Sequence, residues 1–137
     1  MSAVFVDTSA LYAVLDAADA NHPAAAGEWR RLLHGSAPLI TSNYVLVETA
    51  ALLQNRLGLA ALSLFDRDVS PVLHVEWVSK ALHTAAMSSV LAARRRGLSL
   101  VDCVSFAVMR ALGLRDAFAF DAHFMHQGFA CLPAAGP

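Results

Sequence analysis

Short apolar runs that stop abruptly alternate along this chain with longer stretches in which apolar residues return every three or four positions. Residues 3–6, Ala-Val-Phe-Val, form the first run and break at Asp7-Thr8-Ser9, so a strand, a polar turn and a helix over 10–15 are expected. Asn21-His22-Pro23 opens a second helix, with Trp29, Leu32 and Leu33 on its apolar face and Gly35 as its stop. Leu39-Ile40 is the second strand. Thr41-Ser42-Asn43 then supplies capping oxygens for a helix in which Tyr44, Val47, Ala51 and Leu52 recur at helical spacing and which stops at Gly58.

A shorter helix over 59–66 and a strand over 72–75 come next. A long helix is expected over 77–96, with Leu82, Ala85, Ala86, Val90 and Leu91 inward and Arg94-Arg95-Arg96 at its end, where cations suit the negative pole of the dipole. Ser99 is an N-cap for a helix over 100–112 and puts Asp102 in its first turn. Residues 117–120 form a fourth strand that ends on Asp121 as the first ended on Asp7; a helical turn from Ala122 and a strand near 129–132 follow. This alternation implies an α/β fold, one domain over residues 1–137 with a mainly parallel sheet between layers of helices. In such sheets function gathers outside the carboxyl ends of the strands, which selects Asp7 and Asp121.

Composition narrows the class. At 137 residues the chain can bury roughly two-thirds of its unfolded surface, enough for a core without disulfides. It is 57% apolar and 15% charged, with a mean hydropathy of +0.51, so disordered and fibrous classes are excluded and some apolar surface awaits a partner or a second copy. The longest charge-free intervals, 32–47 and 122–137, are broken by Gly and Pro and fall short of the roughly 20 apolar residues of a membrane span. There is no positively charged signal-peptide start, and a cytoplasmic protein is expected. Cys103 and Cys131 fit that compartment as unpaired thiols.

Glu48 and Asp102 join Asp7 and Asp121 as candidates because each interrupts an apolar helical stretch, where a carboxylate needs a partner. Singly each has a plainer reading: Asp7 and Asp102 as helix caps, Glu48 as a solvated helix residue, Asp121 as a turn former. Four such coincidences at apolar boundaries point instead to a shared cation. The only lysine is Lys80, within a helix, so a hard divalent ion is the economical partner, and oxygen ligands suit Mg2+ or Mn2+. His123 and His126 flank the fourth acid, but without a cysteine or a further spaced histidine they read as supporting or surface groups. Trp77 and Phe106 read as core or interface residues.

In these four motifs, Asp7-Thr8-Ser9-Ala10-Leu11, Val47-Glu48-Thr49, Ser99-Leu100-Val101-Asp102-Cys103 and Phe120-Asp121-Ala122-His123-Phe124, the chain resembles PIN domains, and within them VapC-type ribonuclease toxins. The resemblance runs from Val4 to about Leu132. It implies a PIN-like fold, with Asp7, Glu48, Asp102 and Asp121 as metal-binding catalytic residues and Thr8 or Ser9 supplying a hydroxyl behind them. It also implies RNA as the substrate, a small antitoxin protein as partner, and a homodimer. Arg94, Arg95 and Arg96, the one dense basic run, lie just upstream of Asp102 and could guide a phosphate backbone or simply end a helix in solvent. A phosphoacceptor receiver domain would want a lysine after a late strand, which is missing. A haloacid-dehalogenase-type phosphatase would want an aspartate at position 9, which is Ser9. A catalytically quiet binding module would have lost carboxylates that this chain keeps.

Overall fold

The structure is a computed structural model and describes residues 2–135. Five short strands form one all-parallel sheet in the order β3-β2-β1-β4-β5: β1 (Val4–Val6), β2 (Leu39–Ser42), β3 (His74–Glu76), β4 (Asp116–Phe118) and β5 (Ala130–Leu132). Seven helices flank it: α1 (Thr8–Leu15), α2 (His22–His34), α3 (Asn43–Arg56), α4 (Leu59–Leu64), α5 (Lys80–Ala93), α6 (Leu100–Leu112) and α7 (Ala122–His126). The central strand pairs Val4 with Leu39 on one side and with Asp116 on the other. All three of its residues are buried, as a parallel strand covered on both faces must be.

The core is aromatic where it supports the carboxyl ends of β1 and β4. Phe5, Phe118 and Phe124 are fully buried, and Phe124 of α7 stacks on Phe5 while meeting the ring of Phe106 edge-on at 5.1 Å. Truncating one such ring to alanine costs roughly 3–5 kcal/mol, so this cluster fixes α6 and α7 against the sheet. The strand order reverses between β1 and β4: β1 leads outward to β2 and β3, β4 leads the other way to β5. The crevice at that reversal is where Asp7 and Asp121 emerge.

Several expectations need correction. On α3 the buried residues are Val45, Thr49 and Leu53, whereas Val47 and Ala51 face solvent and Tyr44 and Leu52 are half-buried. The helix carries apolar residues on most of its circumference, so spacing alone did not single out the inward stripe. Leu33 is exposed too. The long helix begins at Lys80, capped by the Ser79 hydroxyl, and ends at Ala93; among its expected inward residues only Ala86 is fully buried, and Ala85 and Leu91 are exposed. Arg94 follows in the left-handed region at φ 51°, so the three arginines occupy a turn and not the last helical turn. The helix after Gly58 ends at Leu64 and passes into a wider turn over Phe65–Val69, and β3 begins two residues later than expected. Trp77 is 74% exposed, while Phe106 is core. No helix among the described residues is long and apolar enough to cross a membrane.

Candidate active site

Asp7 leaves the end of β1 and caps α1. Its carboxylate accepts the Ser9 backbone N–H at 3.1 Å and the Ser9 hydroxyl at 2.6 Å, and the same hydroxyl accepts the Phe120 N–H at 3.0 Å. Ser9 therefore ties the first acidic motif to the loop that carries the fourth. The Thr8 hydroxyl takes another course, meeting Thr49 Oγ1 at 3.0 Å across to α3, one residue beyond Glu48. Thr41, buried at the end of β2, donates to the Val6 carbonyl at 2.8 Å and locks the two strand ends together.

Asp102 is held by a reciprocal cap at the start of α6: its N–H donates to the Ser99 hydroxyl at 3.0 Å and its Oδ2 accepts the Ser99 N–H at 3.1 Å. Asp121 caps α7 in turn, accepting the His123 N–H at 2.9 Å. The ring of His123 folds back, with Nδ1 2.8 Å from Asp121 Oδ1 and 3.8 Å from Asp102 Oδ2. One donor atom each from Asp102, Asp121 and His123 lies within 4.8 Å of the others. Asp7 and Glu48 fall outside that trio, and the charge of Asp102 pushes both carboxyls up.

The electrostatics are those of crowded acids. Burial pushes the Asp7 carboxyl up to about 7 against the pull of the Ser9 hydrogen bonds, and the charges of Asp102 and Glu48 push the same way. Burial also raises Glu48, opposed by the nearby Thr8 hydroxyl and reinforced by Asp102 and Asp121. Asp102 rises for the same first reason; the Ser99 bonds and His123 oppose it, and Asp121 adds to it. Among the described residues no Lys or Arg pairs with any of the four, and their only ionic contacts come from His123. Asp7, at 4% exposure, is a buried carboxylate with hydrogen bonds but no counter-ion among the described residues. Such a set of oxygen donors fits a divalent cation, which removes the mutual repulsion that burial amplifies.

His123 stands where a supporting group was expected, against Asp121 and near Asp102. Its signal was its place two residues after a capping aspartate at the end of an apolar strand, from which the ring can return to the cap. His126, on the same short helix, is exposed, its ring 6.4 Å from that of His123. Arg94, Arg95 and Arg96 are all exposed, and the turn they occupy leads directly to Gly97, where an added Cβ would lie 3.9 Å from the His123 ring. Both cysteines are free, with Cys103 buried.

Residues 4–129 match the family model of the PIN domain. The chain is 41% identical over 128 residues to the 23S rRNA-specific endonuclease VapC20 of Mycobacterium tuberculosis in two strains, a match covering 92% of this chain and 95% of the relative. The crystal structure of M. tuberculosis VapC20, described as a sarcin-ricin loop cleaving toxin, superposes with a TM-score of 0.81 at 39% identity, over 93% of this chain and 96% of that one. The structure of PAE2754 from Pyrobaculum aerophilum shares the fold at 20% identity, with a TM-score of 0.62 over 96% of this chain and 90% of its own.

Proposed function

From the premise that this chain belongs to the PIN domain family, we propose that it is a divalent-metal-dependent endoribonuclease acting as the toxin of a bacterial toxin–antitoxin pair. The observation that carries the reading is the convergence of buried and half-buried acids at the β1–β4 crevice with no lysine or arginine to neutralise them. Asp7, Glu48, Asp102 and Asp121 would hold the ion, Mg2+ or Mn2+. Bound there, it would neutralise charge on the scissile phosphate and lower the pKa of a water, so that no side-chain nucleophile is required.

The chain's own residues do the positioning. Ser9 holds the Asp7 carboxylate rigid through two bonds, and the Ser99 cap fixes which oxygen of Asp102 faces inward. Such preorganisation keeps donors in place at no cost during the reaction. Arg94, Arg95 and Arg96 hold the RNA backbone beside this corner as phosphate ligands. They are not bases, because a guanidinium stays protonated.

The first substrate to test is a hairpin RNA carrying the sarcin-ricin loop of 23S rRNA, the target of the M. tuberculosis relative. Cleavage should require Mg2+ or Mn2+ and stop in excess chelator; full cleavage in chelator would overturn the reading. An antitoxin segment has a fitting receptor in the groove of about 630 Å³ between α3 and α4, walled by Leu46, Val47, Ala50, Leu59, Leu62 and Phe65. We assign residues 1–137 to one nuclease domain that works as a homodimer in the cytoplasm.

A further inference from the structure

The geometry points to His123 as a nitrogen ligand of the metal site, making it a mixed oxygen–nitrogen centre that favours Mn2+ over Mg2+. The inference rests on the nuclease reading and names the ion that reading leaves open. His123 Nδ1 lies 2.8 Å from Asp121 Oδ1 and 3.8 Å from Asp102 Oδ2, and the three donors stay within 4.8 Å of one another. Ligand atoms around one small divalent ion at bond lengths of about 2.1 Å stand about 3 Å apart when adjacent and about 4 Å apart when opposite. The two separations from Nδ1 thus fall in the range found between ligands of a single ion.

The ring is held in that position. Its own backbone N–H donates to Asp121 Oδ1 at 2.9 Å, which fixes the residue at the start of α7. Its side chain is 23% exposed and lies beside Gly97, where an added Cβ would stand 3.9 Å from Cε1, at ordinary contact distance. The groups facing it from the neighbouring elements are Asp102 on α6 and Asp121 at the α7 cap, both acids. The tautomer carrying its proton on Nε2 leaves the Nδ1 lone pair free for a cation once the ring turns from its contact with Asp121. Mg2+ is a hard ion that prefers oxygen and water, whereas imidazole nitrogen suits transition ions and favours Mn2+ over it.

The test uses the full-length protein with one equivalent of Mn2+ alone, at about pH 8, where a free imidazole is neutral. Pulsed electron paramagnetic resonance should show 14N modulation from one directly bound imidazole in the wild type and in His126→Gln, and none in His123→Gln. Titration calorimetry should find Mn2+ affinity reduced at least about tenfold in His123→Gln, with Mg2+ affinity, read by competition, changed much less. An oxygen-only Mn2+ spectrum in the wild type overturns the inference without recourse to any variant, as does nitrogen coupling that survives His123→Gln. Metal-dependent RNA cleavage together with an oxygen-only spectrum would defeat this inference alone; cleavage indifferent to chelator would defeat the nuclease reading itself.

Discussion

The Ser9 hydroxyl stands 2.6 Å from Asp7 Oδ2 and also receives the Phe120 N–H, so one small side chain supports a buried carboxylate and joins the two strand ends that frame the crevice. Replacing Ser9 with alanine leaves both partners short of a bond. Hydrogen bonds to charged groups contribute about 1.5–3 kcal/mol, so Ser9→Ala should destabilise the protein by that order in urea melts. Metal affinity should fall roughly 10- to 100-fold by calorimetry, because the carboxylate is no longer held. Ser9→Thr, which keeps the hydroxyl, should lose much less affinity.

Asp7→Asn should separate activity from stability. It removes a buried charge that has no counter-ion, so the metal-free variant should melt higher than the wild type at neutral pH, while RNA cleavage falls to background. A lower melting temperature together with retained cleavage would remove Asp7 from the site.

The same carboxylate sets a pH dependence. Folded Asp7 binds its proton more tightly than unfolded Asp7, whose ordinary value is 3.8. The metal-free fold therefore has this contribution in full below that value and loses it as pH rises through about 7, a change of order 4 kcal/mol for the single group. Glu48 and Asp102 are shifted in the same direction and add to the slope. Melting temperature without metal should fall between about pH 4 and pH 7; saturating Mg2+ or Mn2+ should abolish the fall, and Asp7→Asn should flatten it.

The arginine turn should govern binding more than bond cleavage. Because Arg94 is left-handed, glycine is the replacement that adds no strain there, so the variant is Arg94→Gly with Arg95→Ala and Arg96→Ala. Losing three phosphate contacts on a single strand should flatten the slope of log affinity against log salt by up to about 2. The rate at saturating RNA should change far less than in Asp7→Asn. An unchanged salt slope with a lost saturated rate would remove the arginines from the RNA path.

Val47 and Leu59, 69% and 68% exposed on the rim of the α3–α4 groove, can take charge without disturbing the core. Val47→Asp with Leu59→Asp should abolish co-purification with the product of an adjacent small reading frame and leave the melting temperature within a few degrees. Undiminished co-purification would place the antitoxin elsewhere.

Local chemistry made part of this structure legible in the sequence. The helix over Leu100–Leu112 and its Ser99 cap were readable because the cap stands directly before the apolar helical stretch; the structure adds Gly113 as its left-handed C-cap. The carboxyl-end placement of Asp7 followed from an apolar run that stops on it, whereas β4 covers Asp116–Phe118 instead of the expected 117–120 and Asp121 lies three residues past its end. What spacing could not resolve was the inward stripe of α3, where Val45, Thr49 and Leu53 are chosen by what the sheet and α1 offer and not by hydrophobicity. Nor could it resolve the arginine turn, since nothing local forbids helix through Arg94. The contact of His123 with Asp121 is local, but its approach to Asp102 is fixed only by how α6 and α7 pack.

Asp7 and Asp121 lie near opposite ends of the described chain, and the strand that carries the first is sandwiched between one made early and one made late. During synthesis β1 has no β4 beside it, and the Ser9–Phe120 bond has no donor, until translation has passed the fourth acidic motif. The crevice between β1 and β4 is therefore incomplete in every nascent copy, and chemistry that needs both Asp7 and Asp121 can begin only once nearly the whole chain has been made.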